Sequence, residues 1–204
     1  MKVIAISGIA RSGKDTIADK LSEVISEMNP GLKISRESFA SILKQEMSTF
    51  IYEKFNKDIF SLEGQDKENL RPLLVAYGSA KRNLSNGRYF IEALQKKISI
   101  ENNDLCIISD LRYADKDFDE LHWLKNEMGG KLIHIKRYSV IDNQKKQKKF
   151  LLPPNEDEKR NDPVLNKNSD FNIIWPSAKN DIELNEMARN FCEDFYYKNI
   201  SYLI

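Results

Sequence analysis

Residues 3–16 have the sequence VIAISGIARSGKDT, and this stretch decides the fold. The apolar run before Gly8 is typical of a buried strand, and the residues after Lys14 have the apolar spacing of a helix. Between them lies the pattern G-x-x-x-x-G-K, which Gly8 opens and Gly13 closes. A strand, a glycine-bounded loop and a helix in this order form the context that a phosphate-binding loop requires.

This loop predicts a site for the phosphates of a nucleotide. Two glycines let the backbone turn closely around an anion, and the amide hydrogens at the helix N-terminus point at phosphate oxygens. A lysine at the end of the motif reaches the terminal phosphates as a point charge. The residues predicted to bind this ligand are Gly8, Arg11, Ser12, Gly13, Lys14, Asp15 and Thr16.

One position departs from the common form of the motif. The residue after the lysine is usually Ser or Thr, whose hydroxyl binds Mg²⁺, whereas here it is Asp15, followed by Thr16. A carboxylate so close to a triphosphate repels it unless a cation lies between them. We therefore predict that Asp15 binds Mg²⁺ directly or through water, and that Thr16 contacts a phosphate.

Length, charge and cysteine content narrow the class of protein. The 204 residues suffice for one α/β domain with a substantial core, so we expect a single domain over 1–204. A net charge of +1 gives no overall field that would favour a nucleic acid polymer or a membrane. No apolar run approaches the ~20 residues of a membrane span. Cys106 and Cys192 lie in apolar patterns and are expected to be buried thiols, which favours a cytoplasmic location.

Apolar runs alternate with helical patterns along the chain, which predicts a central parallel sheet covered by helices on both faces. Ligands of such sheets bind beyond the carboxyl ends of the strands. Residues 56–70 are predicted to be a loop, and 138–162 a mobile polar lid whose lysines at 145–149 are solvated. The predicted strands are 3–7, 33–35, 104–110, 131–135 and 171–175, and the predicted helices are 13–28, 88–98, 116–128 and 181–197, with two more that begin at 38 and 71.

Charged residues follow two of the later strands. Asp110 ends an apolar strand, so it should meet the phosphate loop at one edge of the sheet, where a carboxylate holds a metal-bound water or orients an acceptor. Arg112 could clamp a phosphate with two hydrogen bonds. The alternative is a helix-capping Asp and a solvated Arg. Arg137 also follows a strand directly and is placed to reach the same edge.

The middle of the chain, 38–98, mixes arginines with aromatic residues. Arg71, Arg82 and Arg88 flank its helices, and Tyr77 lies among them. A phosphate and a stacked base need this mixture, but core aromatics and surface charges would give the same composition.

The two histidines and the aromatic C-terminus have structural interpretations. His122 lies in an amphipathic helix and His134 in an apolar strand, so both are expected to be structural. The aromatic residues from Phe191 to Tyr202 pack internally or form a homodimer face, and the sequence leaves both alternatives open.

Taken in order, these motifs resemble the bacteriophage deoxynucleoside monophosphate kinases. The resemblance covers most of the chain and is clearest at 3–18, 71–90 and 105–137. Its blocks are G-x-x-RSGKDT at 8–16, SFA-x-x-x-K at 38–44, RPLL-x-AYG at 71–78, YF at 89–90, SD-x-RY at 109–113 and IHI-x-R at 133–137. A looser match at 155–165 has Asp157-Glu158 where the lid of that family usually has Ser-Glu.

The resemblance implies a three-layer P-loop fold of the nucleoside monophosphate kinase type, with ATP and Mg²⁺ on the phosphate loop. A nucleoside monophosphate would bind over the helices of 38–98 beneath the lid at 138–162, as a step of deoxynucleotide biosynthesis in the host cytoplasm if the chain is phage-encoded. The implied catalytic residues are Lys14, Arg11, Asp110, Arg112 and Arg137. The implied acceptor residues are Lys44, Arg71, Tyr77, Arg82, Arg88 and Arg112, and the implied metal ligands are Asp15 and Asp110.

Two alternatives remain at this point. The Asp after the phosphate-loop lysine also resembles the animal-type phosphomevalonate kinases, which phosphorylate another small phosphorylated acceptor. A nucleotide-binding switch without catalysis is the other alternative, and the acceptor-type residues argue against it. In each case the expected partners are small molecules.

Overall fold

The strand that opens the chain lies inside the sheet of the computed structural model, which describes residues 1–142 and 147–201. The strands are β1 Lys2–Ser7, β2 Ile34–Glu37, β3 Leu105–Leu111, β4 Lys131–Asp142, β5 Gln147–Phe150 and β6 Phe171–Pro176. The helices are α1 Lys14–Met28, α2 Phe39–Phe55, α3 Gly64–Leu84, α4 Tyr89–Ile100, α5 Glu120–His122, α6 Glu156–Lys167 and α7 Asp181–Phe195. π-Helical turns continue α5 over Trp123–Glu127 and α7 over Tyr196–Ile200.

The strands β2, β3, β1, β4 and β6 are parallel to their neighbours, and β5 pairs antiparallel with the end of β4. β1 has β3 on one side and β4 on the other, so the phosphate loop begins between two strand ends. This arrangement confirms the predicted α/β class with a central parallel sheet flanked by helices.

Alternate side chains of β1 pack into two different cores, because successive side chains of a strand point to opposite faces of the sheet. Ile4 and Ile6 pack with α1 and α7, whereas Val3 and Ala5 face a second core formed by α4 and the turn at Trp123. Helices therefore cover both faces of the sheet. A third, smaller core between α2 and α3 lies beside them and consists of Met47, Ile51, Ile59 and Leu70.

The prediction of a loop over 56–70 was wrong in its second half. α3 begins at Gly64, and Pro72, which was expected in the first turn of this helix, lies inside it. Most side chains of the first two turns are exposed, and Leu70 is the buried one. A helix with so little buried surface lacks the apolar period by which sequence analysis detects it.

The predicted lid also has more regular structure than expected. β4 continues to Asp142 and pairs with β5, and α6 begins at Glu156 after the Asn155 cap, whose Oδ1 accepts from the Glu158 N–H at 2.8 Å. Lys148 and Lys149 of β5 are exposed, as predicted, whereas the lysines at 145 and 146 lie outside the described residues.

Several further predictions were tested. Cys106 and Cys192 are buried as predicted, and burial raises their thiol pKa to about 11 and about 12. The helix predicted over 116–128 begins only at Glu120, because the Asp119 side chain caps it there.

Near the C-terminus Phe195 and Tyr196 are buried and Tyr197 is exposed, whereas Tyr202 lies outside the described residues. Within the described part of the chain, no helix combines the length and the apolarity of a membrane span.

Candidate nucleotide-binding site

The phosphate loop has a backbone that glycine makes possible at two positions. Gly8 has φ 140° and Gly13 has φ 92°, conformations that L-residues rarely adopt. Space is equally restrictive, because a Cβ on Gly8 would lie 2.5 Å from the Ile135 carbonyl oxygen, and one on Gly13 would lie 2.1 Å from Cζ2 of Trp175. Both glycines of the motif are therefore required by this fold.

Residues from the ends of β4 and β6 support the loop. Trp175 Nε1 donates to the Ser12 carbonyl at 2.8 Å. The guanidinium carbon of Arg137, on β4, lies 5.7 Å from the centre of the Trp175 ring. Its Nη1 lies 3.5 Å from the Arg11 carbonyl oxygen. Arg137 thus lies beside the loop, at the edge where it was predicted. Sequence analysis missed Trp175 because nothing local links it to the loop.

Lys14 is folded back into the loop that precedes it. Its ammonium donates to the carbonyl of Gly8 at 2.7 Å and to that of Ile9 at 2.9 Å. These carbonyls hold the charge of a buried side chain, and phosphate oxygens of a nucleotide would replace them.

The groups around Lys14 show which parts of the chain converge here. Burial lowers the pKa of Lys14 to about 8, and the neighbouring Arg112 charge adds to this effect. The carboxylates of Glu158, Asp15 and Asp110 act in the opposite direction. Asp110 and Arg112 therefore lie at the same sheet edge as the phosphate loop.

Asp15 projects outward from the first turn of α1. Its Oδ1 accepts from Arg36 Nη2 at 2.9 Å, and the side chain is 80% exposed. Arg36 also pairs with Asp19 at 2.7 Å, so one guanidinium of β2 is shared by two carboxylates. Asp15 can turn towards a cation at the loop by giving up this exposed ion pair, which contributes little to stability.

Asp110 fastens the N-terminus of α2 to the end of β3. Its oxygens accept from the Phe39 N–H at 2.8 Å and the Ala40 N–H at 2.9 Å. Burial raises the pKa of this carboxyl, while Arg112 and the two N–H groups act against the rise. A helix N-terminus favours an anion there, so Asp110 holds the predicted acceptor helices next to the phosphate loop.

Helix α6 contacts both the phosphate loop and the loop after β3. Glu158 Oε2 accepts from the Ala10 N–H at 2.7 Å, and Asn161 Oδ1 accepts from the Ala114 N–H at 2.7 Å. The loosely matched segment at 155–165 was the sequence signal for this helix. The sequence did not predict the contacts of Glu158 and Asn161, because each side chain binds a backbone N–H group that is distant along the chain.

His134, for which the sequence predicted a structural role, lies fully buried under the loop. Its Nδ1 is 2.9 Å from Ser7 Oγ, and its Nε2, 3.6 Å from Asp162 Oδ1, has no hydrogen-bond partner in the described residues. Burial lowers the pKa of His134 to about 4, and the charges of Lys136 and Lys14 contribute to this. The ring is thus neutral at pH 7, and its approach to Asp162 is not an ion pair.

Two of the predicted acceptor arginines are held by glutamates. Arg82 is buried and donates through Nη1 to Glu120 Oε1 at 2.7 Å. Arg88 donates to both carboxylate oxygens of Glu127. These pairs leave neither guanidinium free for an acceptor phosphate in this conformation.

The other predicted cations are more accessible. Arg71 is exposed and pairs with Glu68 on its own helix at 2.9 Å. The side chains of Arg11, Lys44 and Arg112 make no hydrogen bond or ion pair with residues 1–142 or 147–201. Arg112 is the one of these that acts on Lys14 through its charge.

Tyr77 belongs to a polar cluster between α2, α3 and α4. Its hydroxyl donates to Glu46 at 2.6 Å, and Tyr89 donates to the same carboxylate at 2.8 Å. Lys81 donates to the Tyr89 hydroxyl at 2.9 Å and lies 4.0 Å above that ring. The cluster joins the three helices that were predicted to bind the acceptor.

The carboxylates at this edge, Asp15 and Asp110, suit a cation that is bound at the same time by the phosphates of a nucleotide. In the described part of the chain, no group of three or more His, Cys, Asp or Glu side chains could hold a metal by itself. Mg²⁺ in such sites uses one or two carboxylates together with phosphate oxygens, and Asp15 and Asp110 both lie near the Lys14 ammonium.

Against curated proteins, the sequence search found no match. Three solved structures align over nearly the whole chain with low scores. Shikimate kinase from Bacteroides thetaiotaomicron has 13% identity over 95% of this chain and 98% of its own, with a TM-score of 0.40. Thymidylate kinase from Ehrlichia chaffeensis has 17% identity over 97% of each chain and a TM-score of 0.38. Chaetomium thermophilum Kti12 in complex with ADP-AlF3 has 15% identity over 97% of this chain and 98% of its own, with a TM-score of 0.37. Scores this low support no conclusion about function.

The sequence comparison with protein families is more informative. The family model for phosphomevalonate kinase matches residues 6–129, which is more than half of the 204-residue chain. The matched region contains the phosphate loop, the helices α2 to α4 and the Asp110–Arg112 segment. This match supports the interpretation of the motifs as those of a kinase. It does not support a phage origin or a nucleotide as the acceptor. The chain belongs to the phosphomevalonate kinase family of P-loop kinases.

Proposed function

We propose that the protein transfers the γ-phosphate of ATP to a small phosphorylated acceptor, with a (deoxy)nucleoside monophosphate as the first candidate. The observation that carries the proposal is the position of Arg112, whose guanidinium has no partner among the described residues and whose charge acts on the Lys14 ammonium at the carboxyl edge of the sheet. Two cations from different parts of the chain that influence each other suit two anionic substrates that must react with each other.

On the donor side, the loop from Gly8 to Thr16 receives the phosphates of ATP. Lys14 exchanges the carbonyls of Gly8 and Ile9 for phosphate oxygens, which neutralise its charge better than carbonyl dipoles do. The N–H groups at the start of α1 face the same phosphates. Arg11, whose side chain is exposed and unpaired among the described residues, is placed to contact the nucleotide as well.

On the acceptor side, Arg112 binds the acceptor phosphate, with Lys44 and Arg71 as further contacts. An oxygen of this phosphate attacks the γ-phosphorus of ATP, the bond from that phosphorus to the bridging oxygen breaks, and ADP leaves with the electron pair. The attacking oxygen is already anionic, so the step needs no general base. Positioning and neutralisation of charge by Lys14, Arg112 and Arg137 account for the catalysis.

Mg²⁺ bound to the ATP phosphates would neutralise charge that develops in the reaction. Asp15 or Asp110 would hold this ion, directly or through water. Asp110 also keeps the acceptor helices at the phosphate loop through its hydrogen bonds to the N-terminus of α2.

A nucleoside monophosphate is supported by the aromatic residues of the acceptor helices. Tyr77 and Tyr89 join α3 and α4 to α2, and Tyr113 directly follows Arg112. An aromatic residue next in sequence to the proposed phosphate-binding arginine suits a nucleobase, which has two flat faces, better than an aliphatic acid.

Phosphomevalonate is the second candidate acceptor, and one observation favours it. The family model that matches residues 6–129 is that of phosphomevalonate kinase. Both candidates use the same donor site and the same transfer step, and they differ only in what lies beyond the acceptor phosphate.

The test is a coupled assay of ADP release with ATP, Mg²⁺ and each acceptor in turn, namely the four deoxynucleoside monophosphates, the four ribonucleoside monophosphates and phosphomevalonate. We expect one or more nucleotides to stimulate ADP release well above the ATPase background. Lys14→Ala serves as the inactive control. If only phosphomevalonate stimulates release, the second candidate is correct.

Calorimetry separates an enzyme from a nucleotide-binding switch. A kinase binds ATP and also binds a monophosphate in a saturable manner at a second site. Binding of ATP alone, without stimulation of ADP release by any acceptor, would show that the proposed transfer does not occur.

A further inference from the structure

A buried carboxylate holds the backbone of the loop that carries Arg112. Glu120 is 1% exposed, and its Oε2 accepts from the Arg112 N–H at 2.7 Å and the Tyr113 N–H at 3.1 Å. Two adjacent backbone groups are thus fixed by one oxygen, directly after β3 ends at Leu111. This contact sets the direction in which the Arg112 side chain leaves the backbone.

Arg82 favours the charged form of that carboxylate. Its Nη1 donates to the other oxygen, Glu120 Oε1, at 2.7 Å, and its guanidinium carbon lies 3.2 Å from the centre of the Tyr113 ring. Burial raises the pKa of Glu120, while Arg82 and the Arg112 N–H act against the rise. Without Arg82, the buried carboxyl would tend to take up a proton and would accept hydrogen bonds less well.

The loop has a third support, which comes from α6. Asn161 is buried, and its Oδ1 accepts from the Ala114 N–H at 2.7 Å. The successive N–H groups of Arg112, Tyr113 and Ala114 are therefore all bound by side chains. Among the described residues, the Arg112 guanidinium has no partner, and its charge acts on Lys14. The supports therefore fix its backbone and leave its charge available.

We propose that Glu120 and Arg82 are positioning residues that hold Arg112 against the acceptor phosphate without touching the substrate themselves. The inference rests on the proposed transfer to a phosphorylated acceptor. It also gives Arg82 a different task from the direct acceptor contact that the resemblance implied. A buried ion pair is on average a poor source of stability compared with apolar packing, whereas a site works well when the surroundings of its contact residues are fixed.

The test measures kcat and both KM values for Glu120→Gln. Glutamine keeps the shape and one oxygen, but it loses the charge and turns an NH₂ group towards one of the donors. We expect the KM for the acceptor to rise about tenfold while the KM for ATP changes less than twofold. Arg82→Met should give the same pattern, and Arg82→Lys, which restores a positive charge, should recover part of the loss.

A double-mutant cycle with Arg112→Ala shows whether the effect passes through Arg112. If Glu120 acts by positioning this arginine, Glu120→Gln should add little once Arg112 is already alanine. A merely structural role predicts additive losses and an equal rise in the KM for ATP. Either result would overturn the inference.

Controls separate positioning from folding. Glu27→Gln breaks the exposed pair with Arg189 and should leave both KM values unchanged. The double variant Arg82→Met with Glu120→Gln removes both charges and keeps one side-chain oxygen for the N–H groups of Arg112 and Tyr113. It should melt near the wild-type temperature and still show the raised acceptor KM.

The result for the wild-type protein distinguishes the two proposals. If it phosphorylates an acceptor but Glu120→Gln has wild-type constants, only the positioning role is wrong. If it phosphorylates none, the proposed function fails and this inference falls with it.

Discussion

The proposed donor and acceptor halves of the site are built in different ways. The phosphate loop is a contiguous segment whose critical contacts are made by its own backbone, such as the left-handed conformation at Gly13. The acceptor half depends on isolated side chains from α2, α3 and the loop after β3. A contiguous motif carries its geometry with it, whereas an isolated arginine acquires its role from partners elsewhere in the chain. Arg82, held by a glutamate 38 residues away, illustrates this.

The strongest test of this contrast compares Lys14→Ala with Arg112→Ala. We expect Lys14→Ala to slow transfer to every acceptor by about 10²- to 10³-fold, because it removes a charge aimed at the transferred phosphate. Arg112→Ala should instead raise the KM for the acceptor about tenfold and leave the KM for ATP unchanged. Steady-state kinetics with each substrate varied in turn provides the measurement.

Lys20→Ala, on the outer part of α1, is the matched control for loss of a lysine and should behave like the wild type. An equal change of both KM values in Arg112→Ala would mean that the two halves do not bind separate substrates.

Gly13→Ala should damage the donor half through packing and backbone strain together. The added Cβ would lie 2.1 Å from the Trp175 ring at a residue with φ 92°. We expect the free energy of unfolding to fall by about 4 kcal/mol, as measured by urea denaturation. Gly31→Ala, where a Cβ meets no atom within 4 Å, should cost almost nothing.

Trp175→Leu in the Gly13→Ala background separates the two causes. Removal of the ring should relieve the clash and leave the backbone strain, so that part of the lost stability returns. A Gly13→Ala variant as stable as Gly31→Ala would show that the ring is not fixed against the loop.

His134 should make the donor half sensitive to acid. Folding lowers its pKa to about 4 from an ordinary value of 6.5, so between these pH values the unfolded chain binds a proton that the folded protein does not. The stability due to neutral His134 is therefore complete above about pH 6.5 and is lost as the pH falls towards 4. At 1.36 kcal/mol per pH unit, the loss is at most about 3 kcal/mol.

Urea denaturation between pH 4 and 7 checks this prediction on His134→Gln, which should lose less stability with falling pH than the wild type does. His122→Gln changes the other histidine of the chain and shows whether the loss of any histidine has the same effect. Buried carboxyls such as Asp110 and Glu120 titrate in all three proteins, so the difference between variants isolates His134. Parallel curves for all three would contradict the prediction.

Asp15→Ala should have the smallest effect, on the metal dependence of the donor half. If this carboxylate holds Mg²⁺, its removal should weaken binding of magnesium-loaded ATP several-fold, by about 1 kcal/mol, and leave ATP without magnesium unaffected or bound more tightly. Calorimetric titration with and without EDTA gives both constants. Asp19→Ala removes the other partner of Arg36 and is the control. Equal losses in both titrations would exclude a metal role for Asp15.

The sequence predicted the alternation of strands and helices and the position of the phosphate loop, because both depend on local patterns. The buried residues of β1 and β3 form continuous apolar runs, as parallel strands with two covered faces require. The convergence of Asp110 with the loop followed from the rule that carboxyl ends of parallel strands share an edge.

The parts that the sequence could not predict depend on distant partners or on little buried surface. Glu120 lies in a segment predicted to be part of an ordinary helix, yet its contacts are backbone groups of the preceding loop. The start of α3 at Gly64 has almost no apolar period. β5 has four exposed residues and is recognisable only from its pairing with β4.

The contact of Trp175 with the phosphate loop also bears on how the protein is made. The ring that fits against Gly13 and the indole that donates to Ser12 belong to a residue 163 positions after Ser12. A ribosome synthesises the GK motif more than 160 residues before its support. The growing chain therefore carries the motif long before it has the completed loop, and we expect nucleotide affinity to appear only after β6 has emerged and joined β4.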